Sequence, residues 1–133
     1  MQDRLLASTT ELTEILSFTV PGIHFEKLGA WNQPWDRAVA QAIEQAWSRI
    51  DPSRLGAFEW YAVHLRWFVW PRHDRQDLDN LRMKPILDCF TAKRLWRDDD
   101  VRHLRAIYSE VALVQKTAEQ RVEVAVFGRL TAQ

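Results

Sequence analysis

The sequence predicts an α/β fold of the α+β kind: a small mixed β-sheet packed with two main helices in a single domain. A length of 133 residues allows one hydrophobic core. One segment has helical apolar spacing, and several have the alternation or β-branched content of strands. These observations give the order (α)βαβαββ, with a short helical turn first. We divide the chain into an N-terminal extension, residues 1–16, and a domain, residues 17–133.

The N-terminal residues predict a helical turn followed by a short strand. Ser8 and Glu11 have the spacing of a capping box before Leu12, Ile15 and Leu16. The run SFTVPG that follows is β-prone and ends at Pro-Gly, which is a turn signal.

An amphipathic helix and a long strand come next. Pro34 suits the first helical position, and apolar residues then recur every three or four positions, which predicts a helix over 34–50. Residues 58–71 predict the strand by their aromatic and β-branched content. One of its faces is uniformly apolar: Tyr61, Val63, Leu65, Trp67 and Val69. The other face mixes aromatic residues with His64 and Arg66, which indicates an interface or a partly covered layer.

The C-terminal half predicts a helix and two strands. Apolar residues mark a helix over 80–92, and a charged loop, 96–100, follows it. Residues 102–115 and 120–130 are strand-like and are joined by the polar turn KTAE. Valines alternate with small or polar residues in the last strand, as expected for a half-buried strand.

Composition predicts a cytoplasmic protein without a membrane partner. No apolar run approaches the roughly 20 residues of a membrane span, and the N-terminus does not read as a secretory signal. Cys89 is the only cysteine, so a reducing compartment fits. The net charge is zero, with 18 basic and 18 acidic residues, which does not by itself favour nucleic-acid binding. The balance is uneven, however, at −3 over residues 1–59 and +3 over residues 60–133.

The stretch DRQDLDNLRMKPILD (74–88) carries the candidate chemistry. Asp77 and Asp79 are either a doubled helix cap or ligands of a metal ion. The helix dipole favours carboxylates at a helix N-terminus, so their position alone does not separate these two interpretations. Arginines surround them, a second acidic cluster occupies 98–100, and Lys84 lies about one helical turn after Asp79. Carboxylates that bind Mg²⁺ beside cations that bind phosphate are what phosphodiester chemistry requires.

Other site chemistries have no match in the sequence. The four histidines and the single cysteine do not have the spacing of a zinc site. With only four glycines there is no Gly-rich phosphate loop. No serine lies in the Gly-x-Ser-x-Gly motif of a nucleophile elbow.

In order and spacing, these residues resemble the RusA-type endodeoxyribonucleases, which resolve Holliday junctions in bacteria and their phages. The resemblance runs from SFTVPG through RQDLDNLRMKPILDCF and LWRDDD to the two closing strands, which is most of the chain after residue 16. Its specific part is Asp-x-Asp-Asn-Leu, then Lys-Pro, Leu-Asp and Trp-x-Asp-Asp. The resemblance implies a homodimeric nuclease of bacterial or phage origin that depends on Mg²⁺, with Mn²⁺ as an alternative ion.

The resemblance also implies the site residues by motif position. The catalytic and metal-binding aspartates are Asp77, Asp79 and Asp99, with Asp98 or Asp100 as alternatives for the third. The basic residues near the motif are candidates for contacts with the DNA backbone: Arg72, Arg75, Arg82, Lys93, Arg94 and Arg97.

The catalytic lysine implied by the resemblance is Lys84. The family has this lysine six residues after the first aspartate, where this chain has Met83. One residue inserted near the start of the helix explains the shift more simply than loss of the lysine does.

The activity expected from the resemblance is structure-selective cleavage of branched DNA, above all a four-way junction, by hydrolysis that leaves 5′-phosphate ends. The alternative is a catalytically weakened RusA-like module that binds DNA or a protein without cutting. A third hypothesis is a metal-dependent hydrolase that acts on flaps or RNA.

Overall fold

Four strands and two helices make up the part of the chain that the structure, a computed structural model, describes: residues 12–22, 33–51, 58–71, 83–95 and 103–130. They are β1 (Leu12–Pro21), α1 (Gln33–Trp47), β2 (Phe58–Val69), α2 (Lys84–Ala92), β3 (Leu104–Leu113) and β4 (Arg121–Leu130). A short 3-10 helix, Thr117–Glu119, lies between β3 and β4. The predicted α/β class and the order βαβαββ are confirmed.

The sheet is mixed and has the strand order β1-β4-β2-β3. β4 pairs antiparallel with β1 and with β2, whereas β2 and β3 are parallel. It follows that β1 and β2 also run in the same direction. Each helix therefore connects two parallel strands, because parallel strands need a crossover connection and cannot be joined by a tight turn. Both helices lie on one side of the sheet, because α1 contacts β1 and α2. We call this side the helix face and the other the open face.

The core fills the space between the helices and the sheet. The apolar face predicted for the long strand is confirmed, because Tyr61, Val63, Leu65, Trp67 and Val69 are all buried. Trp35 of α1 packs against Trp67 with ring centroids 6.3 Å apart. Phe90 of α2 packs edge-on against Phe18 of β1 at 6.0 Å.

The helical turn predicted near the N-terminus is wrong over Leu12–Leu16, because these residues begin β1. Its predicted capping residues, Ser8 and Glu11, lie outside the described residues. The pairing with β4 shifts register between Glu14 and Leu16, which marks a β-bulge. Leu16 is buried and its neighbour Ile15 packs against the core, although regular alternation would send one of them outward. The bulge therefore allows apolar spacing that resembles helical spacing to occur in a strand.

The polar turn KTAE does not join neighbouring strands. β2 lies between β3 and β4, so the connection passes the end of β2. Val114 donates its N–H to the Val69 carbonyl at 2.9 Å, and the Trp70 N–H donates to Oε1 of Gln120 at 3.1 Å. Strand order depends on contacts distant in sequence, which residue patterns do not reveal.

Both helices are shorter than predicted. α1 ends at Trp47, although residues up to Ile50 continue as a hydrogen-bonded turn. α2 begins at Lys84, and not near residue 80, with Pro85 in its first turn. A helix that began near residue 80 would hold Pro85 in its interior, where the ring clashes with the carbonyl four residues earlier.

Gly128 of β4 allows the close approach of two apolar side chains. A Cβ atom at this position would lie 2.6 Å from the Phe58 ring and 2.8 Å from Cδ1 of Ile15. Both distances are below van der Waals contact, so any larger residue forces these side chains or the backbone to move.

Gly128→Ala is expected to reduce the free energy of unfolding by about 1–3 kcal/mol, which is typical of overpacking. Urea denaturation followed by circular dichroism measures it. The double variant Gly128→Ala with Phe58→Leu, which shortens the opposing side chain, should lose less unfolding free energy than the sum of the losses of the two single variants. A loss below about 0.5 kcal/mol would show that the site is not crowded.

Candidate functional site

The candidate site is centred on α2, which the stretch around Asp77 and Asp79 precedes. Met83 is the N-cap of α2 and makes no side-chain capping bond. Its carbonyl accepts the N–H of Ile86 at 3.0 Å, which closes the first turn. Pro85 has no N–H to satisfy, so it is tolerated there.

Met83 and Lys84 have different environments. Met83 is partly buried and packs against the core, whereas Lys84 is exposed. The first turn of α2 contains no acidic residue, and Lys84 makes no ion pair with another described residue. Lys84 lies at the positive end of the helix dipole, where a cation is unfavourable by about 0.3–1 kcal/mol. The lysine and the dipole together therefore make this end of α2 attractive to an anion.

The predicted metal ligands lie outside the described residues. Asp77 and Asp79 belong to a segment that connects the carboxyl end of β2 with the start of α2. The cluster 98–100 belongs to the segment between the end of α2 and β3. The two acidic segments are thus attached to opposite ends of a helix of nine residues, about 14 Å long. Within the described ranges, no three His, Cys, Asp or Glu side chains lie close enough to hold a metal ion.

Two of the six candidate DNA-contacting residues are described, and four are not. Arg72, Arg75, Arg82 and Arg97 lie outside the described residues. Lys93, the C-cap of α2, forms an ion pair with Glu44 of α1 and so links the two helices. Arg94 is exposed and follows this C-cap.

Arg94 has a left-handed backbone conformation, with φ at 61°. Its N–H donates to the Thr91 carbonyl at 3.0 Å, and the N–H of Leu95 donates to the Phe90 carbonyl at 3.1 Å. These two bonds form a Schellman motif, whose left-handed position is usually glycine. The side chains of Leu95 and Phe90 are buried, as this motif favours. Arg94 therefore occupies a position where its Cβ is a steric burden.

The open face carries a polar cluster that the sequence indicated only in part. Nε2 of His64 lies 3.1 Å from Oε1 of Glu110, and Nε of Arg66 lies 3.5 Å from the same oxygen. The His64 and Tyr108 rings are 5.0 Å apart. The mixed face of β2 identified His64 and Arg66, but Glu110 and Tyr108 join them only because β3 pairs parallel with β2.

A depression of about 530 Å³ opens beside this cluster. Its described walls include Ser17, Thr19, Arg49, His64, Arg66 and Glu123. Next to it, the guanidinium of Arg121 lies 3.8 Å from the centroid of the Phe68 ring and bonds Glu123 at 3.2 Å. The open face therefore carries aromatic rings and charges of both signs, and it is not uniformly basic.

Sequence comparison gives no further information about this site. No family model matches the chain, and no curated protein shows significant similarity to it. None of the helices in the described ranges has the length and apolar character needed to cross a membrane.

Cys89, on α2, is half-buried, and its pKa is raised above the ordinary thiol value. Desolvation by burial is the largest cause, followed by the negative charges of Asp88 and Asp36. The positive charge of Lys93 opposes this effect. The thiol is thus stabilised in its neutral, less reactive form.

Alkylation of Cys89 by iodoacetamide at pH 8 is expected to be slower in the native protein than in the urea-unfolded chain. The rate constant should keep rising above the pH at which the unfolded thiol titrates, because the native thiolate forms only at higher pH. Mass spectrometry of timed samples measures both rates. Equal rates in the native and unfolded chains would contradict the shifted pKa.

Arg94→Gly is expected to stabilise the protein by about 0.5–1 kcal/mol, because glycine adopts the left-handed conformation without a Cβ clash. Arg94→Ala is the matched control, since it removes the charge but keeps the Cβ, and it should not stabilise. Urea unfolding of the three proteins separates the two effects. Equal stability of the glycine and alanine variants would mean that the backbone strain is negligible.

Proposed function

We propose that the protein is a Mg²⁺-dependent, structure-selective DNA endonuclease of the RusA type that cleaves four-way junctions as a homodimer. The observation that carries the proposal is the difference between Met83 and Lys84. Met83 packs against the core, and Lys84 is exposed as the first residue of α2. This arrangement fits a residue inserted before the helix, after which Lys84 takes the role of the catalytic lysine.

The connectivity of the fold supports the same assignment. The aspartate motif follows the carboxyl end of β2 and precedes α2, within a unit of two parallel strands joined by a helix. Ligands of open α/β sheets are commonly bound at the carboxyl ends of strands and near helix N-termini. The mixed sheet with two helices on one face also agrees with the fold predicted from the sequence.

The proposed ligands suit the proposed ion. Asp77, Asp79 and Asp99, with Asp98 or Asp100 as alternatives for the third, offer only carboxylate oxygens, which a hard cation such as Mg²⁺ prefers. Bound Mg²⁺ supplies Lewis-acid stabilisation of the charge that develops on the phosphodiester. The same oxygen-donor set also accepts Mn²⁺.

The roles of the cationic side chains follow from their positions. The ammonium of Lys84 would neutralise the phosphate under attack or the departing oxygen, and the dipole of α2 adds to its field. Arg94, exposed after the last turn of α2, would bind a backbone phosphate, as would Lys93 when it exchanges Glu44 for DNA. A strained backbone conformation at an exposed arginine agrees with selection for contact rather than for stability. Arg72, Arg75, Arg82 and Arg97 complete the proposed backbone contacts.

A labelled four-way junction incubated with the protein and Mg²⁺ tests the proposal. The wild type should nick symmetrically near the branch point, and the products should be ligatable because they carry 5′-phosphates. Asp79→Asn should abolish nicking. Lys84→Ala should lower the single-turnover rate by roughly 100-fold, which is typical of the loss of one charge-stabilising group.

Lys116→Ala is the matched control, because Lys116 is an exposed lysine in the connection between β3 and β4. It should leave the rate unchanged. Nicking that survives Asp79→Asn would overturn the proposal. Junction binding without nicking in Mg²⁺ or Mn²⁺ would identify a non-catalytic module instead, and faster cleavage of flaps or RNA would redefine the substrate.

A further inference from the structure

The edge strand β3 carries most of the exposed large apolar side chains among the described residues. Ile107, Val111 and Leu113 are 45%, 40% and 70% exposed, and the fourth such residue, Leu130, ends β4. The three side chains on β3 lie at alternate positions and therefore on one face of the strand. It is the helix face, because Ser109, between them in the same alternation, accepts a hydrogen bond from the buried Trp67 at 2.8 Å.

The backbone of the same residues points to the open edge of the sheet. The N–H of Val114 donates to the Val69 carbonyl of β2, so the backbone groups of Val114 face inward. Backbone groups alternate in direction along a strand, which turns those of Ile107, Val111 and Leu113 outward. An unpaired row of N–H and C=O groups is a template for another strand.

Among the described residues, the other edge strand is protected against such pairing along its length, whereas β3 has a register shift only at its start, between Leu104 and Ala106. β1 has a bulge between Glu14 and Leu16, ends with Pro21, and exposes the polar residues Ser17 and Thr19. β3 keeps a continuous register with β2 from Ala106 to Leu113 and contains no proline, glycine or lysine. Bulges, prolines and edge lysines are the usual devices that prevent edge-to-edge association.

We propose that β3 pairs antiparallel with β3 of a second copy of the chain, which joins two four-stranded sheets across a two-fold axis. An antiparallel pair of identical strands is self-complementary, as a two-fold interface requires. The homodimer is part of the proposed function, and this inference adds its interface from the geometry of β3 alone.

Charge and apolar pattern select the register. With the axis at Ser109, Ile107 lies opposite Val111 of the partner subunit, and this contact occurs twice. Tyr108 then lies opposite Glu110 of the partner subunit, so a hydroxyl donor meets a carboxylate acceptor. With the axis at Glu110, two like charges would lie directly opposite each other, which is destabilising. Of these two registers we therefore assign the one with the axis at Ser109.

Light scattering coupled to size exclusion tests the interface in the full-length protein. The wild type should be a dimer at micromolar concentration. Val111→Lys should raise the dissociation constant about 100-fold or more, because an ammonium is buried in each copy. Thr19→Lys on the protected edge is the matched control and should remain a dimer. A monomeric wild type, or a Val111→Lys variant that dimerises like wild type, would overturn the proposal.

Oxidative cross-linking tests the register in a Cys89→Ala background. Ile107→Cys with Val111→Cys should give a covalent dimer, because paired Cα atoms about 5.5 Å apart lie within disulfide range. Each single cysteine variant should stay uncross-linked, and no cross-link in the double variant would overturn the assigned register.

Asp79→Asn separates the two proposals, since it should keep the dimer while abolishing nicking. A dimer without nuclease activity would leave the interface standing and remove the proposed function.

Discussion

The indole of Trp67 packs against Trp35 and donates a hydrogen bond to Ser109, so one side chain joins α1, β2 and β3. β2 is the strand that both β4 and β3 pair with, and both crossover helices connect to it. Its buried face therefore determines where the helices pack, and its pairing determines which polar groups meet on the open face. The start of α2, and with it Lys84, is positioned by this packing, since Ile86 and Phe90 are buried in the same core.

α2 violates local stability rules at both ends. It has a lysine and no acidic residue in its first turn. Just beyond its C-cap, Lys93, Arg94 occupies a left-handed position that suits glycine. Natural sequences tend to break such rules at functional positions and to compensate elsewhere. The compensation here is the burial of Ile86, Leu87, Phe90 and Leu95 against the sheet. A nine-residue helix would not be stable without that packing.

The two edges of the sheet differ in their exposure to other chains. β1 combines a bulge with polar side chains, whereas β3 is regular from Ala106 to Leu113 and exposes apolar residues there. The same contrast separates the two faces of β3. Glu110 on the open face is held by His64 and Arg66, while Ile107 and Val111 on the helix face lie beyond the cover of α1 and α2. Among the described residues, the exposed apolar surface is therefore concentrated along one strand.

The periodicity of apolar residues, together with proline, glycine and polar turn residues, determined the secondary-structure elements and the core. The alternation of β2 and β4 and the spacing of α1 depend on neighbours in the chain, so they predicted burial at Trp67, Val124 and Ile43. The acidic motif and Lys84 were likewise visible in the residues, because their chemistry depends on identity and spacing. Tertiary structure decided the rest. The strand β1 at Leu12–Leu16, the position of β4 between β1 and β2, and the meeting of Glu110 with His64 all depend on hydrogen bonds between distant segments. Such bonds depend on which strands become neighbours, and no local pattern encodes that choice.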